Sequence, residues 1–280
     1  NNSYTGDTQV TQGTLGAGSN TAFGTGTLKL NNGQVFASGG DRTLTNPVNS
    51  NITSTGYSTG FFGENSLTLS GAVTSAETSA NWTLTNSIVK GKTLTFNGST
   101  WTYNAITSSR VLNVNGPGDT VINNNFSSST AFQAGVTYSG TAMGSALFGG
   151  SRELGFLTQS GTSTYSGPSL KFTGNISRAA TDTYGVLSLT GSSGNYGELS
   201  GVISNNGANL TTVAKGGTGV WVISGSANTY TGGTFIEQGT LVFPTVAAKA
   251  AAGTIYLGSS GSATSSGSAT SASSSLALTA

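Results

Sequence analysis

Two stretches near the ends of the sequence are nearly the same: NTYTGGTFIEQGTL at 228–241 and NSYTGDTQVTQGTL at 2–15. In each, a Tyr-Thr-Gly core is followed at the same distance by Gly-Thr-Leu. A pattern that returns at a fixed offset is the sequence signature of repeat architectures, in which each repeat stacks on its neighbours. The fold is therefore sought first among repeat proteins.

Short alternating groups of apolar and polar residues recur along the chain after Gly or Asn. Examples are GTLKL at 26–30, GKTLTF at 91–96, RVLNVNG at 110–116 and GVWVISG at 219–225. Period-two alternation predicts strands with one dry and one wet face. Good helix formers are scarce, and only VAAKAAAG at 246–253 tolerates a helix.

Like motifs also return at loose, repeated spacing. GTL at 13–15 is followed by GTL at 26–28, and GTL at 239–241 by GTI at 253–255. Short strands with polar turns at such spacing predict an all-β solenoid, with inward Leu, Val, Ile and Phe stacked in columns. A secreted β-sandwich is the alternative that short strands alone would also fit.

The composition excludes several functional classes. Charged residues are only 7 % of the chain, against about 25 % in ordinary domains, and the net charge is +1. No basic stripe exists, so nucleic-acid binding lacks its electrostatic basis. There is no Cys and no His, which excludes disulfides, thiolate metal sites and a Ser-His-Asp triad. No run approaches the ~18 apolar residues of a membrane-spanning helix.

The regularity of the pattern varies along the chain. Residues 1–257 are predicted to form the solenoid, with longer loops or bulged coils over about 97–168. Residues 258–280 begin as Ser/Gly/Ala-rich low-complexity sequence. That composition is typical of a flexible linker. The alternating SLALTA at 275–280 leaves open a last thin coil instead.

The segment LSGVISNNGANLTTVAKGGTGVWVISGSANTYTGGTFIEQGTLVF at 199–243 resembles the autotransporter-associated β-strand repeat, also called the passenger-associated transport repeat. SGSANTYTGGT at 224–234 and EQGTL at 237–241 carry the resemblance, whereas TVAKGGTG at 212–219 departs from the usual pattern around its lysine. NSYTGDTQVTQGTL resembles the second half of another copy. The resemblance implies a right-handed parallel β-helix, exported to the bacterial cell surface or the extracellular space, often in adhesin-like proteins.

The first copy begins in mid-repeat. Either the chain is an excerpt of a longer protein, or a neighbouring copy stacked end to end supplies the missing half coil. Open solenoid ends are templates for strand pairing. The residues expected at such an interface are Tyr4, Thr5, Gly6, Val10, Leu15, Tyr230, Thr231, Gly232, Phe235, Leu241 and Phe243.

Catalysis needs clustered carboxylates or a nucleophile with a base, and the nine Asp and Glu residues are scattered. We therefore expect no catalytic, cofactor-binding or metal-binding residues. Asp41-Arg42 and Arg152-Glu153 are interpreted as solvated turn charges. Trp82, Trp101 and Trp221 are interpreted as core residues, with sugar-stacking platforms as the alternative.

Tyr230 is expected to be a stacked turn residue whose hydroxyl has a backbone partner. The sequence thus favours a structural, non-enzymatic surface rod used in adhesion, surface coating or filament assembly, with surface glycans as possible partners. The alternative is a carbohydrate-binding or polysaccharide-degrading β-helix.

Overall fold

A computed structural model of the chain describes residues 1–50, 58–75, 81–103, 110–128, 134–142, 145–163, 167–177, 185–192, 195–250, 253–258 and 274–278. These residues are almost entirely strands and turns. In the helix-tolerant stretch at 246–253, the described residues form one 3-10 turn, at Val246–Ala248.

The strands are short and follow one another along the whole chain. In chain order they are β1 Thr8–Val10, β2 Thr14–Ala17, β3 Leu28–Leu30, β4 Gln34–Ala37, β5 Arg42–Leu44, β6 Val48–Ser50, β7 Ser58–Gly63, β8 Leu67–Leu69, β9 Val73–Ser75, β10 Trp82–Ile88, β11 Thr93–Phe96, β12 Thr100–Tyr103, β13 Arg110–Asn115, β14 Asp119–Ile122, β15 Asn125–Ser128, β16 Ala134–Tyr138, β17 Thr141–Ala142, β18 Ala146–Phe148, β19 Arg152–Glu153, β20 Phe156–Gln159, β21 Thr162–Ser163, β22 Leu170–Phe172, β23 Ile176–Ser177, β24 Val186–Gly191, β25 Tyr196–Leu199, β26 Ile203–Ser204, β27 Thr212–Lys215, β28 Val220–Ile223, β29 Thr234–Ile236, β30 Gly239–Phe243, β31 Ile255–Leu257 and β32 Ser274–Leu278.

The strands form three long parallel sheets, here named A, B and C in the order in which the chain visits them. Sheet A has nine strands (β1, β3, β6, β9, β12, β15, β19, β23, β26) and sheet B eleven (β2, β4, β7, β10, β13, β16, β20, β24, β27, β29, β31). Sheet C has ten (β5, β8, β11, β14, β18, β22, β25, β28, β30, β32), and β17 pairs with β21 in a small sheet of its own. Each strand pairs in parallel with the strand one coil later, as in the register Leu28↔Val48↔Val73. The chain is therefore an all-β parallel solenoid, as predicted, and the sandwich alternative is wrong.

Inward side chains stack in columns along the solenoid. The column at the end of the sheet C strands shows this best, since each member is in register with the next and all are buried: Leu44, Leu69, Phe96, Ile122, Phe148, Phe172, Leu199 and Ile223. Burying one such side chain contributes roughly 1.5–3 kcal/mol. The core thus consists of equivalent layers, to which each coil adds one.

The three tryptophans lie in this core and are fully buried. Each indole N–H finds an acceptor: Trp82 donates to Thr59 Oγ1 (3.1 Å), Trp101 to Ser75 Oγ (2.9 Å) and Trp221 to the Thr190 carbonyl (2.9 Å). The interpretation as core residues is confirmed. The alternative of sugar-stacking platforms is wrong for all three.

The corner between sheets C and A is built from stacked glycines. A Cβ on any of them would overlap a carbonyl oxygen of the coil beneath, so only Gly fits; they are Gly71, Gly98, Gly150, Gly174, Gly201 and Gly225. Two asparagines interrupt the row and are buried, and each donates its Nδ2 to carbonyls of neighbouring turns: Asn46 to Phe23, Gly24 and Gly26, and Asn124 to Thr100. The close stacking of backbones is what fixes glycine here.

Arg152 corrects the interpretation of Arg152-Glu153 as solvated charges. The Arg152 side chain points inward from β19 and is 2 % exposed. Its Nη2 donates to the carbonyls of Ile122 (2.7 Å) and Asn124 (3.1 Å), and its guanidinium carbon lies 4.7 Å from the centre of the Phe148 ring. The corner it reaches has three residues between the in-register positions Ile122 and Phe126, as the corner from Leu69 to Val73 does. Arg152 thus supplies donors to two carbonyls of the corner in the coil below it.

The other charged dipeptide, Asp41-Arg42, matches the interpretation as solvated turn charges only at Asp41. Asp41 is exposed and accepts from Lys92 Nζ at 3.0 Å, whereas Arg42 is half-buried at the start of β5 and donates to the Ser38 carbonyl at 2.6 Å. The side chain of Glu153 lies outside the described residues.

The last part of the chain adds one more coil. β31 pairs with β29, and β32 pairs with β30 in the register Leu241↔Leu276. The structure thus places residues 274–278 in a last thin strand. The low-complexity residues 259–273, for which a linker was predicted, lie outside the described residues.

Candidate functional site: the two repeat segments

The segment 212–243 forms two successive corners. β27 and β28 lie on sheets B and C, residues 224–233 cross the sheet A side without a strand, and β29 and β30 return to sheets B and C. The corner between β29 and β30 is made by Gly239, whose φ is +73° and whose missing Cβ leaves room for the Gly217 carbonyl. A side chain there would be strained and crowded at once.

Asn228 and Tyr230 tie this crossing segment to its neighbours. Asn228 Oδ1 accepts from the Ile203 N–H of the coil below (2.7 Å), and its Nδ2 donates to the Ala248 carbonyl of the coil above (2.6 Å). Tyr230 is fully buried, and its hydroxyl pairs with Thr234 Oγ1 at 2.7 Å. The partner is therefore a side-chain hydroxyl, and the expected backbone partner was wrong. Burial raises the pKa of Tyr230.

The N-terminal segment repeats this geometry. The Tyr4 hydroxyl pairs with Thr8 Oγ1 at 2.5 Å, and Asn2 Nδ2 donates to the Ala22 carbonyl at 2.6 Å. Gly13 stands where Gly239 stands, with a φ of +75°. The two stretches that look alike in sequence are therefore alike in their side-chain contacts as well.

Two differences separate the copies. Tyr4 is 43 % exposed, whereas Tyr230 is fully buried between the coils below and above it. The strands also fall on different sheets, because β1 and β2 belong to sheets A and B while β29 and β30 belong to sheets B and C. The repeat thus specifies a corner of the solenoid and not a particular sheet.

Lys215 belongs to the repeat but is not among the residues that the sequence predicts at the interface. It is fully buried at the end of β27, and its Nζ donates to the carbonyls of Gly216 (2.7 Å), Gly217 (2.7 Å) and Gln238 (3.0 Å). Burial lowers the pKa of Lys215 to about 8. The sequence could have predicted its inward position, because Lys215 lies two residues after the inward Val213 on the same strand.

The expected interface residues do not all lie on open surface, and the two sets are at opposite ends of the solenoid. Tyr4, Thr5, Gly6 and Thr231 are exposed; Leu15, Gly232 and Phe235 are half-buried; Val10, Tyr230, Leu241 and Phe243 are buried. The second set is covered by the coil of β31 and β32, which stacks on β29 and β30. Among the described residues, the outermost strands at that end are therefore β31 and β32.

Charged groups on the described surface pair across coils. The ion pairs are Lys29–Asp7 (2.6 Å), Lys92–Asp41 (3.0 Å) and Lys171–Glu198 (3.1 Å). Hydrogen bonds from the lysines are the main cause that lowers the pKa of Asp7 and of Asp41. Exposed pairs of this kind contribute little to stability. Among the residues described, no three Asp, Glu, His or Cys side chains gather where they could hold a metal ion.

Comparison with known protein families identifies the repeat that forms these two segments. The model of the passenger-associated-transport repeat matches residues 1–17 and 213–243, the two segments just described. The chain carries this repeat. A repeat of this type implies a secreted or surface-exposed protein with a passenger-type β-helix.

Searches of curated proteins and of solved structures gave no match. Within the described ranges, no helix is long and apolar enough to cross a membrane.

Proposed function

We propose that the protein is a structural, non-enzymatic component of the bacterial cell surface or extracellular space. It forms a stiff β-solenoid rod, and copies of the rod stack end to end into filaments that serve adhesion or surface coating. The observation that carries this proposal is the state of the two ends. β1 and β2 at one end, and β31 and β32 at the other, each have a strand partner on one side only among the described residues.

Open strand edges favour pairing with another chain, and proteins that avoid it place charges or caps there. Here three large apolar side chains are exposed near the C-terminal end: Val246 is 75 % exposed, Leu257 57 % and Tyr256 46 %. Leu257 is in register with the inward Ile236 of the coil beneath it. A further coil on top of it would bury it.

The flanks of the rod are suited to the same role. Charged residues are only 7 % of the chain, so the surface has little charge that salt could screen or pH could titrate. Parallel pairing in register along sheets of nine to eleven strands resists bending. A rod of this kind keeps its shape outside the cell, where conditions vary.

The test is negative-stain electron microscopy of the purified chain at rising concentration. We expect filaments one rod wide. Leu257→Lys places a charge at the open end of the core and is expected to abolish filaments. The matched control is Val89→Lys, which adds the same charge at an exposed apolar residue (46 %) on the flank and should leave filaments intact. Dispersed rods at every concentration would refute assembly.

A second candidate function, carbohydrate binding, has one observation in its favour. Phe36 and Phe62 lie half-buried on the outer face of sheet B with ring centres 4.9 Å apart. The two rings are tilted by 36°, and an aromatic face on a weakly charged surface offers apolar area to a sugar ring. A glycan array with the wild-type chain and with Phe62→Ala separates this candidate from the structural role, because a purely structural rod gives the same blank array for both.

A further inference from the structure

Two charged side chains are buried among the described residues, Lys215 and Arg152, and their surroundings differ. The ammonium of a lysine has three hydrogens, and Lys215 Nζ donates to three carbonyl oxygens, so its donors are satisfied. The guanidinium of an arginine has five N–H donors. Arg152 uses only those of Nη2, which donates to the carbonyls of Ile122 and Asn124.

The remaining N–H groups of Arg152 have no acceptor. Its Nε and Nη1 are both buried, and neither has a hydrogen-bond partner among the described residues. A buried donor without an acceptor destabilises the folded state, and a charged donor does so more strongly. Folded proteins therefore satisfy almost all such groups, with a protein atom or with a bound molecule.

The charge of Arg152 also has no counter-charge in contact. The ion pairs of the described residues involve three lysines and not this arginine. Its guanidinium carbon lies 4.7 Å from the ring centre of Phe148 and 5.9 Å from that of Phe126. Aromatic faces attract a cation but carry no net charge. Burial lowers the pKa of Arg152 to about 9, as expected for a cation that is desolvated and not compensated.

The solenoid has room for a small ligand at this coil. A cavity of about 380 Å³ is lined by Arg152 together with Phe126 and Ile176, its register partners in the coils below and above. Asn125 and Ser151 are also among the lining residues, and none of the described lining residues is acidic. A ligand the size of a water molecule needs only about 10–15 Å³ of such volume. The cavity therefore admits a monatomic anion.

We propose that Arg152 binds one small monovalent anion, of the chloride class, in the coil of β19. The positive charge is delocalised over the whole guanidinium, so an anion against either its Nε or its Nη1 compensates it and accepts a charge-assisted hydrogen bond. A water molecule would accept the same hydrogen bond but leave the charge uncompensated. A single negative charge matches the single positive charge of Arg152.

The anion is expected to stabilise the folded chain by mass action. The site forms only when the coils have stacked, because Arg152 and the carbonyls of Ile122 and Asn124 that hold it come from successive coils. A ligand that binds only the folded chain raises its stability with ligand concentration. Once chloride is well above its Kd, each tenfold rise in chloride multiplies the folding equilibrium constant by ten, which is about 1.4 kcal/mol.

Urea unfolding at constant ionic strength tests the proposal, with sodium fluoride replaced stepwise by sodium chloride. Fluoride is the smaller ion and is more costly to desolvate, so it is a poor ligand for a buried site. The site lies inside one chain and does not depend on end-to-end assembly, so the measurement is made where the chain is dispersed. We expect the logarithm of the folding equilibrium constant to rise with the logarithm of chloride concentration, with a slope that approaches one.

Arg152→Met removes the cation and is expected to bring this slope to zero. The matched control is Lys90→Met, which removes the same charge from an exposed residue and should keep the wild-type slope. A slope of zero in the wild-type chain, as a water molecule in place of the anion would give, overturns the proposal. A slope that persists in Arg152→Met places the effect elsewhere on the chain and overturns it as well.

Bromide locates the ion without any variant that has to fold. Bromide carries the same charge as chloride and scatters X-rays anomalously. Crystals of the wild-type chain in sodium bromide are expected to show an anomalous peak beside Nε or Nη1 of Arg152. Peaks confined to surface lysines, or no peak at all, contradict a buried anion site.

Discussion

The hydroxyl of Tyr230 offers the sharpest test of how the repeat stabilises its coil. Tyr230→Phe keeps the ring and removes one oxygen. The lost partner, Thr234 Oγ1, belongs to a side chain that is 2 % exposed, so its hydroxyl is left buried without that bond. A buried polar group that loses its partner costs about 1–3 kcal/mol. We expect the free energy of unfolding to fall by that amount.

Tyr4→Phe is a matched control within the same chain. It removes the same bond, Tyr4 to Thr8 Oγ1 at 2.5 Å, but Tyr4 is 43 % exposed and water can replace the lost partner. We expect a loss of no more than about 0.5 kcal/mol. Urea unfolding followed by the fluorescence of the buried tryptophans measures both variants, at a concentration where the chain is dispersed. Equal losses for the two variants would refute the argument that burial determines how much this hydrogen bond contributes to the free energy of unfolding.

Three further predictions concern single positions in the solenoid. Gly174→Ala drives a methyl group into the Gly150 carbonyl and should lower the free energy of unfolding by at least about 1–3 kcal/mol in thermal melts, whereas Gly18→Ala, with no atom near its Cβ, should melt like the wild type. The pKa of Lys215 is about 8 in the folded chain, whereas that of free lysine is 10.5. Between these values the unfolded chain holds a proton that the folded chain lacks, so the free energy of unfolding should rise with pH over this window. Lys215→Met should remove that rise, and a rise that persists in the variant contradicts the assignment. Arg152→Ala opens a cavity above the corner between β14 and β15 and should lower the free energy of unfolding by about 2–5 kcal/mol in urea unfolding. Arg152→Met should recover part of this loss because it fills the space; equal losses in both would mean that the hydrogen bonds, and not the volume, matter.

The strands were predictable because their signal is local. Alternation at 91–96 and 110–116 predicts β11 and β13, and both form. The position of Arg152 was not predictable in the same way. β19 has only two residues, which is too few to show which face is inward. Its burial depends on acceptor carbonyls one coil below, 28 residues earlier for Asn124, and no local pattern records that distance.

The repeat itself could be found from sequence, but its place around the axis could not. The same Tyr-Thr-Gly motif forms the corner between sheets A and B at residues 2–15 and the corner between sheets B and C at residues 228–241. The contacts that the motif makes, such as Tyr to Thr and Asn to a carbonyl of the next coil, are all within or between adjacent coils. None of these contacts depends on which sheet the strands belong to.

The number of sides between two copies of the repeat therefore decides how one end of the rod is turned relative to the other. Here the copies are separated by a whole number of coils and one further side, which is why the ends offer sheets A and B against sheets B and C. Adding or removing one strand with its corner would change that turn without altering either repeat.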